Sequence, residues 1–135
     1  MMTRSTTRRD TSPEPVDSDG QRLLIVEDET FLRRCLVLYF SARGLDVTEA
    51  ASLREANARL DERSFDAVVL DIGLPDGSGL SLVPRADAER CVVISADPDP
   101  DVLVDCGIRH YFTKPLDLSN VMEAVGSVAT FEHSA

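Results

Sequence analysis

Carboxylates, a hydroxyl and an ammonium stand where the apolar runs of this chain stop. Leu23 to Val26 leads directly into Glu27-Asp28-Glu29, and Ala67 to Leu70 leads directly into Asp71. Val92 to Ile94 ends at Ser95, and Lys114, the single lysine among 14 basic residues, follows His110 to Thr113 and precedes Pro115. If these runs are buried parallel strands, all five groups meet at one end of one sheet. Carboxylates about 4 Å apart repel by roughly 4 kcal/mol at an effective dielectric of 20, so Glu27, Asp28 and Asp71 can share a pocket only with a cation or with shifted pKa values. Mg²⁺ suits such a set, because it takes oxygen ligands and commonly uses one or two carboxylates plus phosphate oxygens. An aspartate beside Mg²⁺ can attack a phosphoryl group and form an acyl phosphate. Ser95 and Lys114 then offer a hydroxyl and a compact cation to the phosphoryl oxygens. Taken alone, Glu27 to Glu29 suit the positive end of a helix dipole just as well. The combination with Asp71, Ser95 and Lys114 is what points to phosphoryl chemistry.

The elements that must position these groups alternate between strand and helix from about residue 21. Arg22 to Val26 reads as a first strand, and a helix follows from about Glu29 to Ala42 with Leu32, Cys35, Leu36 and Tyr39 on one stripe and Gly44 as its stop. Leu45 to Glu49 is a weaker edge strand. Ser52-Leu53-Arg54-Glu55 has the capping-box pattern, which starts a second helix running to about Glu62. Ala67 to Leu70, Cys91 to Ser95 and Tyr111 to Thr113 are the remaining strands, and a last helix from about Leu118 carries Val121, Met122, Val125 and Val128 on one face. Pro84 falls where a third helix should be under way, and an interior proline costs about 3 kcal/mol, so that helix must be short, shifted or kinked. Asp97-Pro98-Asp99-Pro100-Asp101 leaves room only for a stub such as Val102 to Cys106 as the fourth. Such alternation with short connections favours a doubly wound α/β fold, in which ligands lie beyond the carboxyl ends of parallel strands.

Composition bounds the function. The 135 residues, 43% hydrophobic and 28% charged, suit one domain. A net charge of -10 repels nucleic acid and anionic membranes. Neither a membrane-length apolar run nor a secretory leader is present, so a cytoplasmic protein is expected. Cys35, Cys91 and Cys106 are too widely spaced for a zinc site and odd in number for a disulfide framework. Residues 1–20 read as a disordered tail, 21–130 as the domain and 131–135 as a C-terminal tail.

The chain resembles the receiver domain of two-component response regulators. The likeness rests on Leu24-Ile25-Val26-Glu27-Asp28-Glu29, on Val69 through Gly77, on Ser95-Ala96 and on Tyr111-Phe112-Thr113-Lys114-Pro115. It implies a five-stranded parallel sheet in flavodoxin-like order 2-1-3-4-5. It also implies Asp71 as phosphoacceptor, Mg²⁺ on Glu27, Asp28, Asp71 and the backbone carbonyl of Gly73, and Ser95 and Lys114 on the phosphoryl group. Ser95 and Tyr111 would be the switch residues. The implied partner is a histidine kinase or histidine phosphotransfer protein, with the chain a monomer or a phosphorylation-dependent dimer.

With only Phe131 to Ala135 after the domain, a stand-alone receiver that signals by docking is expected. Phe31, Val37 and Leu38 lie outside the main stripe of the first helix, where they could meet a kinase helix pair or, for Phe31 and Leu38, pack on the last helix. Two readings compete. One is a degenerate receiver that binds partners without phosphorylation. The other, a haloacid-dehalogenase-like phosphohydrolase, needs an acid two residues after its nucleophile, where this chain has Gly73.

Overall fold

Alternating apolar residues decide which helices cover which face of the sheet. In the computed structural model, which describes residues 20–134, the chain runs β1 (Arg22–Val26), α1 (Thr30–Ser41), β2 (Asp46–Ala50), α2 (Leu53–Glu62) and β3 (Ala67–Asp71). A small hairpin, β4 (Gly73–Leu74) and β5 (Gly77–Ser78), precedes α3 (Val83–Ala86), β6 (Cys91–Ser95), α4 (Pro100–Asp105), β7 (His110–Thr113) and α5 (Leu118–Ser134). The main sheet has the order β2-β1-β3-β6-β7 with every neighbouring pair parallel, which is the expected 2-1-3-4-5 once the hairpin is set aside. The expected tail over residues 1–20 lies outside the described residues except for Gly20. At the other end the α5 backbone continues to Ser134, past residue 130 where the domain was expected to close.

Successive strand residues point to opposite faces, so each central strand feeds two cores. Leu23, Ile25, Val69, Val92 and Ile94 pack with Leu36 and Phe40 of α1 and Val121 and Val125 of α5. Leu24, Val26, Val68, Leu70 and Val93 pack on the other side with Ala56 of α2, Leu82 and Val83 around α3, and Leu103 of α4. Burying one such aliphatic side chain contributes roughly 1.5–3 kcal/mol.

The α1 stripe is rotated from the one expected. Leu36 and Phe40, four residues apart, are its fully buried pair, whereas Leu32, Cys35 and Tyr39 are only partly buried. Phe31 and Leu38 do not pack on α5, and at 74% and 72% exposed they face solvent.

The weak helices come out short for the reasons legible in the sequence. Pro84 sits in the first turn of the four-residue α3, where a proline is tolerated because that turn has free amides, and single 3-10 turns flank it. Asp87 then breaks the chain direction at φ +78. The α4 helix spans six residues and starts two residues before the expected stub, because Asp99 Oδ1 accepts from the amides of Asp101 and Val102 at 3.1 and 3.5 Å with Pro100 behind it. All three cysteines are free thiols, and burial pushes that of Cys91 up to about 12. Among the described residues no helix is long and apolar enough to cross a membrane.

Candidate functional site

Each predicted polar group sits at or just beyond the carboxyl end of its strand. Glu27 extends β1 by one ladder bond, its N–H donating to Ala50 O at 3.0 Å, and its side chain turns inward to complete burial. There Glu27 Oε2 accepts from the Glu29 amide at 2.9 Å, and Oε1 lies 2.8 Å from Lys114 Nζ. Asp28 stays exposed. Glu29 alone follows the helix-end reading, because its Oε1 caps α1 by accepting from the Leu32 amide at 2.8 Å. Asp71 closes β3 and is 5% exposed. Lys114 Nζ donates to its Oδ2 at 3.0 Å, and the Gly73 amide donates to its Oδ1 at 3.2 Å.

Lys114 reaches this pocket because its own N–H donates to Ser95 O at 2.8 Å, which carries the β6–β7 pairing one step further. The Lys114–Pro115 peptide is cis. Ser95 is buried at the end of β6, and its Oγ accepts from the Asp97 amide at 3.2 Å. A hydroxyl that accepts in this way keeps its proton for another acceptor. Tyr111 stands apart from the cluster: it pairs with Val93, two residues before the strand end, and is 38% exposed.

One carboxylate oxygen each from Glu27, Asp28 and Asp71 lie within 4.8 Å of one another. Lys114 offsets one of the three negative charges, and a divalent cation matches the remainder. The donor set is all oxygen and one acid is open to solvent, which fits Mg²⁺ better than a softer metal. Burial holds the Glu27 carboxyl above the ordinary glutamate range, and the Asp71 charge adds to this, against the pull of Lys114 and of the Glu29 amide. For Lys114, burial works to lower the pKa, but hydrogen bonds to Glu27 and Asp71 outweigh it and hold the ammonium above the ordinary lysine value.

Residues 23–126 match the family model for the response regulator receiver domain. The chain belongs to that family. KDP operon transcriptional regulatory protein KdpE of Escherichia coli (strain K12) is 34% identical over 119 residues, which are 84% of this chain and 52% of that protein. Response regulator protein PilR of Pseudomonas aeruginosa is 33% identical over 114 residues, 79% of this chain and 26% of that protein. This receiver domain therefore spans about half, or less, of those curated relatives. Among solved structures, a CheY-like response regulator receiver domain protein from Methanospirillum hungatei JF-1 superposes with a TM-score of 0.77 at 23% identity, covering 84% of this chain and 97% of that one. A response regulator protein from Burkholderia pseudomallei, solved with a phosphorylated aspartic acid, calcium ion and citrate, gives 0.69 at 22% identity over 84% of this chain and 71% of that one. Receiver domains are signalling phosphoacceptors and not turnover enzymes, they bind a divalent cation at an acidic pocket, and they partner with histidine kinases. Family membership displaces the phosphohydrolase alternative, and the cluster of Glu27, Asp28 and Asp71 is consistent with a phosphoacceptor site.

Two residues that support this receiver pocket have no role in the sequence reading: Gly79, which lies outside the quoted motifs, and Asp76, which lies within one of them. A Cβ on Gly79 would lie 2.0 Å from the Asp71 carbonyl oxygen, so only glycine lets this segment return against the end of β3, where its N–H donates to Ile72 O at 2.7 Å. Asp76 leaves the same loop to accept from the Leu53 and Arg54 amides at 2.8 and 3.0 Å, tying the loop to the start of α2. The available signal was the turn-rich run Pro75-Asp76-Gly77-Ser78-Gly79, in which Gly77 takes a positive φ of +144.

Proposed function

We propose that this receiver domain accepts a phosphoryl group on Asp71 from the phosphohistidine of a kinase or histidine phosphotransfer protein in the cytoplasm, and passes the signal on by docking to a partner protein. The observation that carries this reading is Lys114 Nζ standing 2.8 Å from Glu27 and 3.0 Å from Asp71, which draws a buried aspartate, a buried glutamate and an ammonium around the space beside Asp28. In the transfer, an Asp71 carboxylate oxygen attacks phosphorus as the phosphorus–nitrogen bond of the donor breaks; the donor ring, protonated on its other nitrogen, keeps that proton and leaves as a neutral imidazole, and Asp71 becomes an acyl phosphate. Glu27, Asp28 and the Gly73 carbonyl would hold Mg²⁺ together with Asp71. When bound there, Mg²⁺ would supply neutralising charge for the transfer. Lys114 turns from Asp71 Oδ2 to a phosphoryl oxygen, and Ser95 donates the proton that its contact with the Asp97 amide leaves free. The calcium ion and phosphorylated aspartic acid of the Burkholderia pseudomallei structure support the same assignment on a shared fold.

Drawing Ser95 toward the phosphoryl group would open space next to β7, and Tyr111, still outward-facing, is the side chain placed to turn into it. Such a move biases two states of the surface formed by α4, β7 and α5. The deciding experiment is intact-protein mass spectrometry after incubation with Mg²⁺ and acetyl phosphate. Wild type gains one phosphate and Asp71→Ala gains none. A wild type that stays unlabelled with Mg²⁺ present would move the assignment to a receiver that works without phosphorylation.

A further inference from the structure

The backbone that carries Glu27 and Asp28 is gripped from outside the pocket by the side chain of Arg33. Arg33, near the start of α1, extends back toward the helix N-terminus as helical side chains do. Its Nη1 donates to the Glu27 carbonyl at 2.9 Å and to the Asp28 carbonyl at 3.4 Å, and its Nε donates to Glu49 Oε1 at 2.9 Å. Only 16% of the Arg33 side chain is exposed, whereas Glu49 is 51% exposed at the end of β2. The β1–β2 ladder ends with the Glu27 amide on Ala50 O, so the next two carbonyls lie beyond the strand register, where Arg33 meets them.

We propose that Arg33, oriented by Glu49, is a positioning residue for the metal: it fixes the loop backbone so that the Glu27 and Asp28 carboxylates converge before Mg²⁺ arrives. A planar guanidinium can serve one carboxylate and two carbonyls from a single rotamer, which a lysine ammonium cannot do. The alternative is that Arg33 only offsets the charge of the acidic loop, and the two roles have opposite signs for the metal. A fixed cation repels Mg²⁺, so by charge alone its removal strengthens binding. Loss of a positioning contact weakens it, and outer contacts of this kind typically change metal affinity by about 10- to 100-fold.

The inference rests on Glu27 and Asp28 holding Mg²⁺, and the test separates the two ideas. Mg²⁺ is titrated calorimetrically into the full chain and its variants, and amide exchange is measured without metal. Arg33→Lys, which keeps the charge, weakens Mg²⁺ by about tenfold, and Arg33→Gln weakens it too, despite losing a cation. Glu49→Gln stays within about twofold of wild type because its amide oxygen still accepts from Arg33 Nε, while Glu49→Ala follows Arg33→Lys. At saturating Mg²⁺ the acetyl phosphate labelling rate of Arg33→Lys returns to within about twofold of wild type, because the reacting groups are untouched. In metal-free protein the Asp28 and Glu29 amides of Arg33→Lys exchange faster, with the β3 core unchanged. Wild-type affinity in Arg33→Lys, or tighter binding in Arg33→Gln, overturns the inference. If wild type itself takes up no Mg²⁺, the metal assignment falls and this inference falls with it, whereas loss of affinity confined to the variants upholds both. Should Arg33→Lys not fold, the comparison of Glu49→Gln with Glu49→Ala decides.

Discussion

At the scale of single residues, burial sets how readily each acid of the site carries charge. Glu27 is fully buried with its carboxyl above the ordinary glutamate range, chiefly because burial disfavours the charged form. A carboxyl raised in this way binds a proton more tightly in the folded than in the unfolded chain. In metal-free protein its contribution to stability is therefore present at acid pH and lost as pH rises through the folded pKa. Near and below the raised pKa, Mg²⁺ must displace that proton, so calorimetric affinity weakens as pH falls through this range, with proton release during titration there. Glu27→Gln removes the proton release and most of the pH dependence at once. Gly79 presents a steric limit instead. Gly79→Ala brings a methyl group against the Asp71 carbonyl, forces β3 or the loop to shift, and costs about 1–3 kcal/mol in urea denaturation. Acetyl phosphate labelling of the folded variant falls with it, because the displaced backbone is that of Asp71.

At the scale of elements, caps decide where helices begin and therefore where the loops of the site end. Ser52 Oγ accepts from the Glu55 amide at 3.1 Å, while Glu55 Oε1 reaches back to the Ala51 amide at 2.8 Å. The capping pattern was visible in the sequence, but its return bond falls one residue before the cap. Ser52→Ala costs about 1 kcal/mol in denaturant unfolding, toward the low end of the usual range, since Asp76 still accepts from the Leu53 and Arg54 amides. The α4 helix is the weakest element that the proposed switch depends on. Six residues with Leu103 as their single buried side chain are too few to stand on helix propensity alone. Its amides exchange well ahead of those in α1 and α5 in native-state hydrogen exchange, and protection equal to α1 would contradict this reading.

At the scale of the whole molecule, one sheet with two covered faces leaves its carboxyl edge and the outside of α1 open. Phe31 and Leu38 are exposed and two turns apart on the same face, while Val37 is partly buried against the core and drops out of the expected docking set. Side chains so placed suit a partner helix pair beside the site. Leu38→Asp and Phe31→Asp leave urea stability within about 0.5 kcal/mol and acetyl phosphate labelling unchanged. Transfer from a cognate phosphohistidine slows by about tenfold, equal to roughly 1.4 kcal/mol of docking energy. Equal transfer rates in wild type and both variants would exclude this face.

The sequence by itself determined the five strands of the main sheet, the fold class and the polar groups at the strand ends, but not the small hairpin of β4 and β5. Buried parallel strands are continuous apolar runs, and a polar residue that stops such a run marks the edge of the sheet. It also placed the weak helices, because Pro84 and the alternation of Asp and Pro after Asp97 forbid long ones. Tertiary structure alone decided the rest. That Glu27 turns inward to Lys114 while Glu29 caps α1 depends on contacts across 87 positions of chain for Lys114 – Glu27 and only three for Glu29 to Leu32, and no local pattern separates two acids only two residues apart with such different partners. Phe40 over Tyr39 as the buried centre of α1, the close approach of Gly79 to Asp71 and the grip of Arg33 on the acidic loop likewise arise from how helices seat on the sheet. Seating depends on packing between distant segments, and spacing within one segment does not encode it.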